Sequence, residues 1–204
     1  MTLSEFDNEI RKDHNVVCGC DEAGRGPLAG DVFAAAVIFD KDTVIEGIND
    51  SKKLTAKKRE ELFDEIIEKA ADFSIQTATV EEIEDINILN AAMLAMKRAV
   101  EDMDTKPDVC LIDGNKTPEG LECPAIAVVK GDAKSQAVAA ASILAKVARD
   151  RYMEQMAELY PEYRFEKHKG YGTKLHYEMI DRYGPCGIHR MSFLKKYYAK
   201  KNGH

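Results

Sequence analysis

Two adjacent carboxylates begin the stretch of this sequence best suited to chemistry. Asp21 and Glu22 follow a short apolar run and lead directly into the glycine-rich segment 24–30, which reads GRGPLAG. Glycines accept backbone angles that other residues avoid and let a ligand approach bare N–H groups. An arginine between two glycines offers a further donor to a phosphate. For the Asp-Glu pair alone, a charged turn without a ligand is the plainer interpretation.

Two further aspartates stand at comparable positions. Asp113 ends the apolar run 109–112, and Asp132 follows the run 125–129 where an alanine-rich helix begins. Because parallel strand ends meet at one edge of an open α/β sheet, we expect these acids to converge with the first pair. Each has a simpler alternative: Asp113 precedes glycine, a common turn pair, and Asp132 could be a helix N-cap.

Convergence of four carboxylates would require compensating positive charge. Two like charges ~4 Å apart repel by on the order of 4 kcal/mol at an effective dielectric constant of ~20. Oxygen ligands select magnesium or manganese over zinc, and a pair of such ions can clamp the attacking and leaving oxygens of a phosphodiester. The pattern therefore predicts metal-dependent phosphodiester chemistry.

The elements that must position these acids alternate between strands and helices. Val16 to Cys20 is predicted to be the first strand, so that the chain bends at the acids. Asp132 is predicted to cap a helix that reaches about Leu159. The order predicts a mixed sheet with helices on its faces. The other predicted strands are 32–39, 73–79, 109–112 and 125–129, and the other predicted helices are 3–12, 55–71, 81–86 and 89–103.

Charge is unevenly distributed along the chain. The formal net charge is −7, yet residues 164–204 carry ten lysines and arginines against three acids. A local basic surface of this kind is typical of polyanion binding, although a charge run is more often only a solvated face. We expect residues 1–160 to form the catalytic core and residues 161–204 a basic helical extension packed on the same domain.

Cysteine usage and hydropathy indicate the compartment. The five cysteines are odd in number and form no CxxC pair, which favours a reducing, cytoplasmic setting. Cys18 and Cys20 are interpreted as core residues rather than metal ligands. The longest apolar run, residues 32–39, is far short of the ~20 residues of a membrane helix, and the polar, acidic start of the chain is unlike a signal peptide.

A series of ordered motifs gives the chain a family resemblance. The motifs are DEAGRGPLAG at 21–30, DSKKL at 50–54, IDG at 112–114, KGDAKS at 130–135, AAASI at 139–143, Lys146, Arg149-Asp150, HKGYGT at 168–173 and HRMSF at 189–193. In these motifs the chain resembles a bacterial-type ribonuclease HII over nearly its whole length. Asp31 departs from the proline expected after Gly30, and Cys20 from the usual branched aliphatic residue.

The resemblance implies a ribonuclease H-like fold and a metal-dependent endonuclease that cuts RNA paired to DNA. It implies nicking on the 5′ side of single ribonucleotides in duplex DNA, as in ribonucleotide excision repair, leaving 3′-hydroxyl and 5′-phosphate ends. It also implies two Mg²⁺ or Mn²⁺ ions and a monomeric protein. The metal-binding catalytic acids would be Asp21, Glu22, Asp113 and Asp132.

The resemblance also assigns substrate contacts. The backbone of Gly24-Arg25-Gly26 would read the ribose 2′-hydroxyl, the group that distinguishes RNA from DNA. Tyr171 would pack against the sugar just beyond the ribonucleotide, favouring an RNA–DNA junction. Possible phosphate contacts are Lys52, Lys134 and Ser135.

Two other functions compete with this one. A hybrid-binding module without catalysis is disfavoured by the four acids, because a pure binder gains nothing from carboxylates that face phosphate. The related ribonuclease HIII is disfavoured by the intact Gly-Arg-Gly and by the lack of an N-terminal extension.

Overall fold

The computed structural model describes residues 1–49, 51 and 54–201 of the chain. Its centre is a five-stranded mixed sheet in the order β3-β2-β1-β4-β5. The first three strands pair antiparallel, whereas β1, β4 and β5 run parallel. The strands are β1 Val17–Ala23, β2 Val32–Ile38, β3 Asp72–Ala78, β4 Val109–Asp113 and β5 Ala125–Val128.

Helices cover both faces of the sheet, as the alternating order predicts. In the part of the chain that the structure describes, no helix is long and apolar enough to span a membrane. The helices are α1 Leu3–Ile10, α2 Ala56–Lys69, α3 Val80–Glu101, α4 Gln136–Leu159, α5 Phe165–His168, α6 Lys174–Tyr183 and α7 Met191–Lys201, with short 3₁₀ turns at Gly131–Ala133 and Pro161–Tyr163.

Small residues let the two long helices approach the central strands closely. All seven residues of β2 are buried, and its side chains alternate between the two faces. Ala34 faces the layer that contains α3, and Ala35 faces the layer that contains α4. At Gly19 of β1 an added Cβ would lie 2.2 Å from the backbone carbon of Ala137. The first turn of α4 therefore crosses β1 where there is no side chain.

Cys18 and Cys20 are buried in the α3 layer, which confirms the prediction that they are core residues.

The first strand is longer than predicted, and the expected bend after Cys20 is wrong. β1 continues to Ala23, with Asp21 opposite Ala35 and Glu22 opposite Ala34. The apolar residues of β2 provide pairing partners along this whole stretch, so the ladder continues past the acids. The chain turns only at Gly24, where φ is +103°. Asp21 and Glu22 consequently lie near the end of a paired strand, where their side chains still interact with each other.

The predicted helices 81–86 and 89–103 are two halves of α3. The helix starts with a capping box between Thr79 and Glu82. It is interrupted at Asn87, whose φ is +68°. The Oδ1 of Asn87 accepts from the backbone N of Leu89 and Asn90, at 3.0 and 3.2 Å. Asn87 thus caps the second half, which explains why the sequence reads as two segments.

The start of α4 also differs from its prediction. Ser135, and not Asp132, is the N-cap, because its hydroxyl accepts from the backbone N of Val138 at 3.2 Å. Asp132 lies in the preceding 3₁₀ turn, which follows Lys130 in a left-handed conformation. The short turn was not expected, since Gly-Asp-Ala before a helix reads naturally as a cap.

The C-terminal segments share cores with the rest of the chain. Phe165 packs in one cluster with Ala29 and with Met153 of α4. Leu194 of α7 packs in another with Leu28 and Ile180. Both clusters include residues that immediately follow the Gly-Arg-Gly turn. The division at residue 160 stays a prediction.

Candidate active site

Asp21 is the most deeply buried of the predicted acids, with only 5% of its surface exposed. The last paired residues of β1 and β4 are Cys20 and Ile112, so Asp21 and Asp113 follow side by side on adjacent strands. Burial raises the pKa of Asp21 well above its ordinary value, and the charges of Glu22 and Asp113 raise it further. One oxygen of Asp21 accepts from the backbone N of Glu22 at 2.7 Å, and the nearby hydroxyl of Ser142 in α4 acts to lower the pKa of this carboxyl group.

Glu22 is more accessible and is paired with a cation. Its Oε1 lies 3.1 Å from the Nη1 of Arg25, which is half exposed. Burial raises the pKa of Glu22, Arg25 opposes that shift, and Asp113 adds to it. Glu22 is therefore held by an arginine from the same turn that the sequence marks as the substrate-reading segment.

Asp113 is connected to the turn that carries Asp132. The backbone N of Gly131 donates to Oδ1 of Asp113 at 2.6 Å, and Asp132, the next residue, is 8% exposed. The structure thus brings Asp21, Glu22 and Asp113 into one electrostatic group and places Asp132 in the turn bonded to it.

A buried arginine organises the Gly-Arg-Gly turn from inside. Arg190 is fully buried. Its Nη2 donates to the carbonyls of Gly24 and Gly30 at 2.7 and 2.6 Å. Its Nη1 donates to the carbonyls of Pro27 at 2.9 Å and Arg25 at 3.2 Å. Satisfying several carbonyls with one rigid fork is a role suited to arginine, and it fixes the turn from its first residue to its last.

A second arginine and Asp31 complete this support. Arg149 of α4 is 1% exposed and donates to the carbonyls of Ala29 and Asp31 at 3.0 and 3.2 Å. The Oδ1 of Asp31 accepts from the backbone N of Val80 at 3.0 Å. The departure from proline at Asp31 therefore serves the start of α3. Neither Arg149 nor Arg190 is predicted to be a functional residue from the sequence, because hydropathy assigns an arginine to the surface.

The two glycines that flank Arg25 have different reasons to be glycine. Gly24 has a left-handed φ of +103°, and an added Cβ would lie 2.2 Å from the Nε of Arg149. Gly26 is exposed, and its nearest contact would be the Tyr171 ring at 3.8 Å, an ordinary distance. Packing within the protein therefore requires Gly24 to be glycine and makes no such demand of Gly26.

An open groove of about 480 Å³ lies in front of this turn. It brings together β1, the turn, α4 and two C-terminal aromatic side chains. Tyr171 is 43% exposed, and the Nζ of Lys146 lies 6.0 Å from its ring centroid. The residues that line the groove are Glu22, Ala23, Gly24, Arg25, Gly26, Ser51, Ile88, Ser142, Lys146, Tyr171 and Phe193.

The three predicted phosphate contacts have separate outcomes. Lys134 is exposed beside the turn of Asp132. Ser135 has no exposed surface, and its hydroxyl caps α4; its phosphate contact stays a prediction. Lys52 lies outside the described residues. Its neighbour Ser51 is described, and the hydroxyl of Ser51 lies 2.8 Å from that of Ser142.

Comparison with known proteins decides the family. The family model described as Ribonuclease HII matches residues 18–196. The chain belongs to the ribonuclease HII family. A ribonuclease HII of Caldicellulosiruptor saccharolyticus is 55% identical over 189 residues, covering 93% of this chain and 92% of that protein.

Solved structures similar to this ribonuclease HII family member have the same fold. The ribonuclease H2 of Pyrococcus horikoshii superposes with a TM-score of 0.75 at 29% identity, covering 92% of this chain and 98% of that one. Bst-RNase HIII in complex with Mn²⁺ gives a TM-score of 0.72 at 16% identity, over 92% of this chain and 70% of that chain. The ribonuclease H-like fold is therefore confirmed.

Membership of the ribonuclease HII family makes this chain a metal-dependent ribonuclease H, a hydrolase that cleaves the RNA strand of RNA–DNA hybrids. The donor set fits a hard divalent cation, because it consists of carboxylates whose mutual repulsion a cation would relieve. Within residues 1–49, 51 and 54–201, no three acidic, imidazole or thiol groups form a ready-made metal site. Glu22 would have to exchange Arg25 for the ion.

Proposed function

We propose that this enzyme nicks duplex DNA on the 5′ side of a single embedded ribonucleotide, in addition to cutting the RNA strand of longer hybrids. The products would carry 3′-hydroxyl and 5′-phosphate ends, as ribonucleotide excision repair requires. The observation that carries the proposal is Gly26. It is exposed in the groove next to Tyr171, and no contact within the protein requires a glycine there.

The groove supports recognition of one sugar. A bare backbone at Gly26 leaves room for a ribose beside its N–H and C=O groups, and the 2′-hydroxyl can both donate and accept. Tyr171 forms the wall beside it, with an exposed ring that could pack on the next sugar. The surface formed by Gly26 and Tyr171 is large enough to contact one ribose and the sugar that follows it. This suits a single ribonucleotide followed by DNA.

The acids support the chemistry proposed for the same groove. Asp21, Glu22, Asp113 and Asp132 would hold two Mg²⁺ or Mn²⁺ ions. Such ions would supply positive charge to the attacking and leaving oxygens of the phosphodiester. Arg25 would then be released from Glu22 toward the phosphate, where a guanidinium donates well.

Other parts of the substrate interface are proposals of the same kind. Lys134 and Lys52 would contact phosphates of the substrate. We further propose that the enzyme acts as a monomer on RNA–DNA hybrid and on duplex DNA with an embedded ribonucleotide, in the cytoplasm.

A cleavage assay on two labelled duplexes tests the proposal. One duplex carries a single ribonucleotide and the other carries four in a row, each with Mg²⁺ or Mn²⁺ and each mapped at nucleotide resolution. We expect both to be cut, with the single site cut on its 5′ side to leave a 3′-hydroxyl. Cleavage of the run alone would contradict single-ribonucleotide recognition. Binding without cleavage in either metal would favour a hybrid-binding protein.

A further inference from the structure

We propose that His176 and His189 form a hydrogen-bonded chain that positions the backbone of Tyr171, and that this chain sets the preference for a single ribonucleotide over a run. Both histidines are positioning residues, since neither lies among the residues that line the groove. The inference rests on the proposed role of Tyr171 at the junction.

The hydrogen bonds of this chain fix the tautomer of each ring. The backbone N of Cys186 donates to Nδ1 of His189 at 2.8 Å, so the proton of His189 is on Nε2. That Nε2 lies 3.0 Å from Nε2 of His176, which must accept and therefore carries its own proton on Nδ1. The Nδ1 of His176 lies 3.0 Å from the carbonyl oxygen of Tyr171 and donates to it. One consistent arrangement of neutral rings thus ends on Tyr171.

The segment before Tyr171 needs such support. Lys169 and Gly170 have φ values of +49° and +82°, both left-handed. This conformation is unfavourable for lysine and persists only where surrounding contacts hold it. The carbonyl of Lys169 accepts from Nη1 of Arg149 at 3.0 Å, and the backbone N of Gly170 donates to Nδ1 of His168 at 3.3 Å. Further along, the backbone N of Tyr171 donates to the carbonyl of His168 at 2.8 Å, and the carbonyl of Tyr171 accepts from the backbone N of Thr173 at 2.8 Å as well as from His176.

The chain is shielded from water by aromatic packing. His176 has no exposed surface and His189 is 3% exposed. The rings of His168 and His176 stack with centroids 4.3 Å apart, and Phe165 packs edge-on against His176 at 5.5 Å. Burial lowers the pKa of His176 and of His189 to about 4, so both rings are neutral at pH 7. Without the donor of His176, the carbonyl of Tyr171 would keep only its bond from the backbone N of Thr173, and the buried rings leave little room for water to take the place of Nδ1.

The same segment is joined to the Gly-Arg-Gly turn. The carbonyl of Gly170 accepts from the backbone N of Leu28 at 2.8 Å, and the carbonyl of Leu28 accepts from the backbone N of Arg190 at 2.8 Å. Arg190 in turn bonds to the carbonyl of Gly24. Displacing the backbone of Tyr171 would therefore change the distance between its ring and the Gly-Arg-Gly turn, the two surfaces that are proposed to contact neighbouring sugars.

Two substitutions at one position separate this role from simple packing. An asparagine amide lies near the position of the histidine Nδ1, whereas a glutamine amide reaches that of Nε2. His176→Asn therefore keeps the donor to Tyr171 and loses the link to His189, and His176→Gln does the reverse. Both remove the same aromatic ring, so their melting temperatures serve as a matched control.

The readout is kcat/KM on the single-ribonucleotide duplex divided by kcat/KM on the four-ribonucleotide duplex. Because His176→Gln loses the hydrogen bond to the carbonyl of Tyr171, we expect it to lower this ratio about fivefold or more. We expect the ratio of His176→Asn to stay within about twofold of wild type. In a Tyr171→Ala background His176→Gln should change the ratio no further. Equal changes in the two His176 variants would overturn the proposal.

Failure of the proposed function would look different. If Tyr171→Ala itself leaves the ratio unchanged, the proposed role of Tyr171 is wrong. If Tyr171→Ala lowers the ratio and His176→Gln does not, only the positioning role of His176 is wrong.

The wild-type protein gives a test that needs no variant. Nitrogen NMR at pH 7 should find the proton of His176 on Nδ1 and that of His189 on Nε2. The opposite tautomers would contradict the chain.

Discussion

Arg190 donates to the carbonyl of Gly24, 166 residues earlier in the chain, at 2.7 Å. This bond joins the C-terminal segment to the turn proposed to read the ribose. It also means that a fully buried guanidinium has backbone carbonyls as its main partners. The C-terminal part of the chain is therefore needed to shape the Gly-Arg-Gly turn, although the sequence of the turn gives no sign that it depends on a distant residue.

Replacing Arg190 should unfold the turn and much of the fold with it. Arg190→Met would remove the donor from four backbone carbonyls, three of them in buried bonds, and we expect the free energy of unfolding to fall by at least about 3 kcal/mol. Arg190→Lys should recover little, because an ammonium cannot reproduce the planar fork. Urea unfolding measures both. Arg182→Met, at an exposed position of α6, is the matched control and should change little; a stable Arg190→Met protein would contradict this account.

Gly24 and Gly26 should respond oppositely to alanine. Gly24→Ala meets both a left-handed φ and Arg149, so we expect a loss of about 3 kcal/mol or more in stability. Gly26→Ala should change stability by about 0.5 kcal/mol at most. It should nevertheless slow single-ribonucleotide cleavage about tenfold or more, by holding the sugar away from the backbone.

Thermal unfolding and kcat/KM, measured on the same two glycine variants, provide the comparison. Full activity in a stable Gly26→Ala enzyme would remove the observation on which the proposed ribose contact rests.

Tyr171→Ala should weaken junction cleavage while the fold survives. The ring is 43% exposed, so its removal costs little burial, whereas an aromatic stacking contact is worth about tenfold or more in affinity. We expect kcat/KM on the single-ribonucleotide duplex to fall by about that factor and the melting temperature to stay near wild type. Equal loss on every substrate would indicate a structural role for the ring.

Stability should fall in mild acid because of the buried histidines. The pKa values of His176 and His189 are lowered to about 4, so the folded protein binds fewer protons than the unfolded chain. Their contribution is complete above about pH 6.5 and is lost as the pH falls toward 4. Each such histidine adds a slope of about 1.4 kcal/mol per pH unit. Other titratable groups near the two rings are His168 and Cys186. Glu166 also acts on His168 and raises its pKa.

Urea unfolding between pH 4 and 7 measures that slope. The double variant His176→Asn and His189→Asn should lose the histidine part of it and keep the part that comes from carboxylates. An unchanged slope in the double variant would place the acid sensitivity elsewhere.

Local patterns predicted most of the framework. β2 starts at the predicted Val32 and stops one residue short of the predicted end, and α4 ends at the predicted Leu159, because apolar periodicity and Pro161 determine these positions locally. The end of β1 could not be predicted, since it depends on the length of its partner β2. The N-cap of α4 was misassigned for a similar reason: two polar residues, Asp132 and Ser135, compete for one role, and only packing selects between them.

The candidate site divides in the same way. The sequence marks Asp21, Glu22 and Asp113, because carboxylates next to buried strands stand out against their surroundings. It gives no reason to expect Arg149 or Arg190 inside the protein, since their partners are carbonyls more than a hundred residues away in the chain. Long-range backbone contacts leave no local pattern.

The central claim is that Asp21 and the acids beside it, Glu22 and Asp113, act on the phosphodiester, and Asp21→Asn tests it most directly. Asparagine keeps the shape of the side chain and removes a charge that Glu22 and Asp113 repel, so the melting temperature should be unchanged or higher. Asp64→Asn, at an exposed position of α2, is the control. The measurement is nicking of a duplex with one ribonucleotide in Mg²⁺ and in Mn²⁺. We expect Asp21→Asn to lose at least about a hundredfold in rate and Asp64→Asn to match wild type. A folded Asp21→Asn protein with wild-type nicking would contradict the assignment.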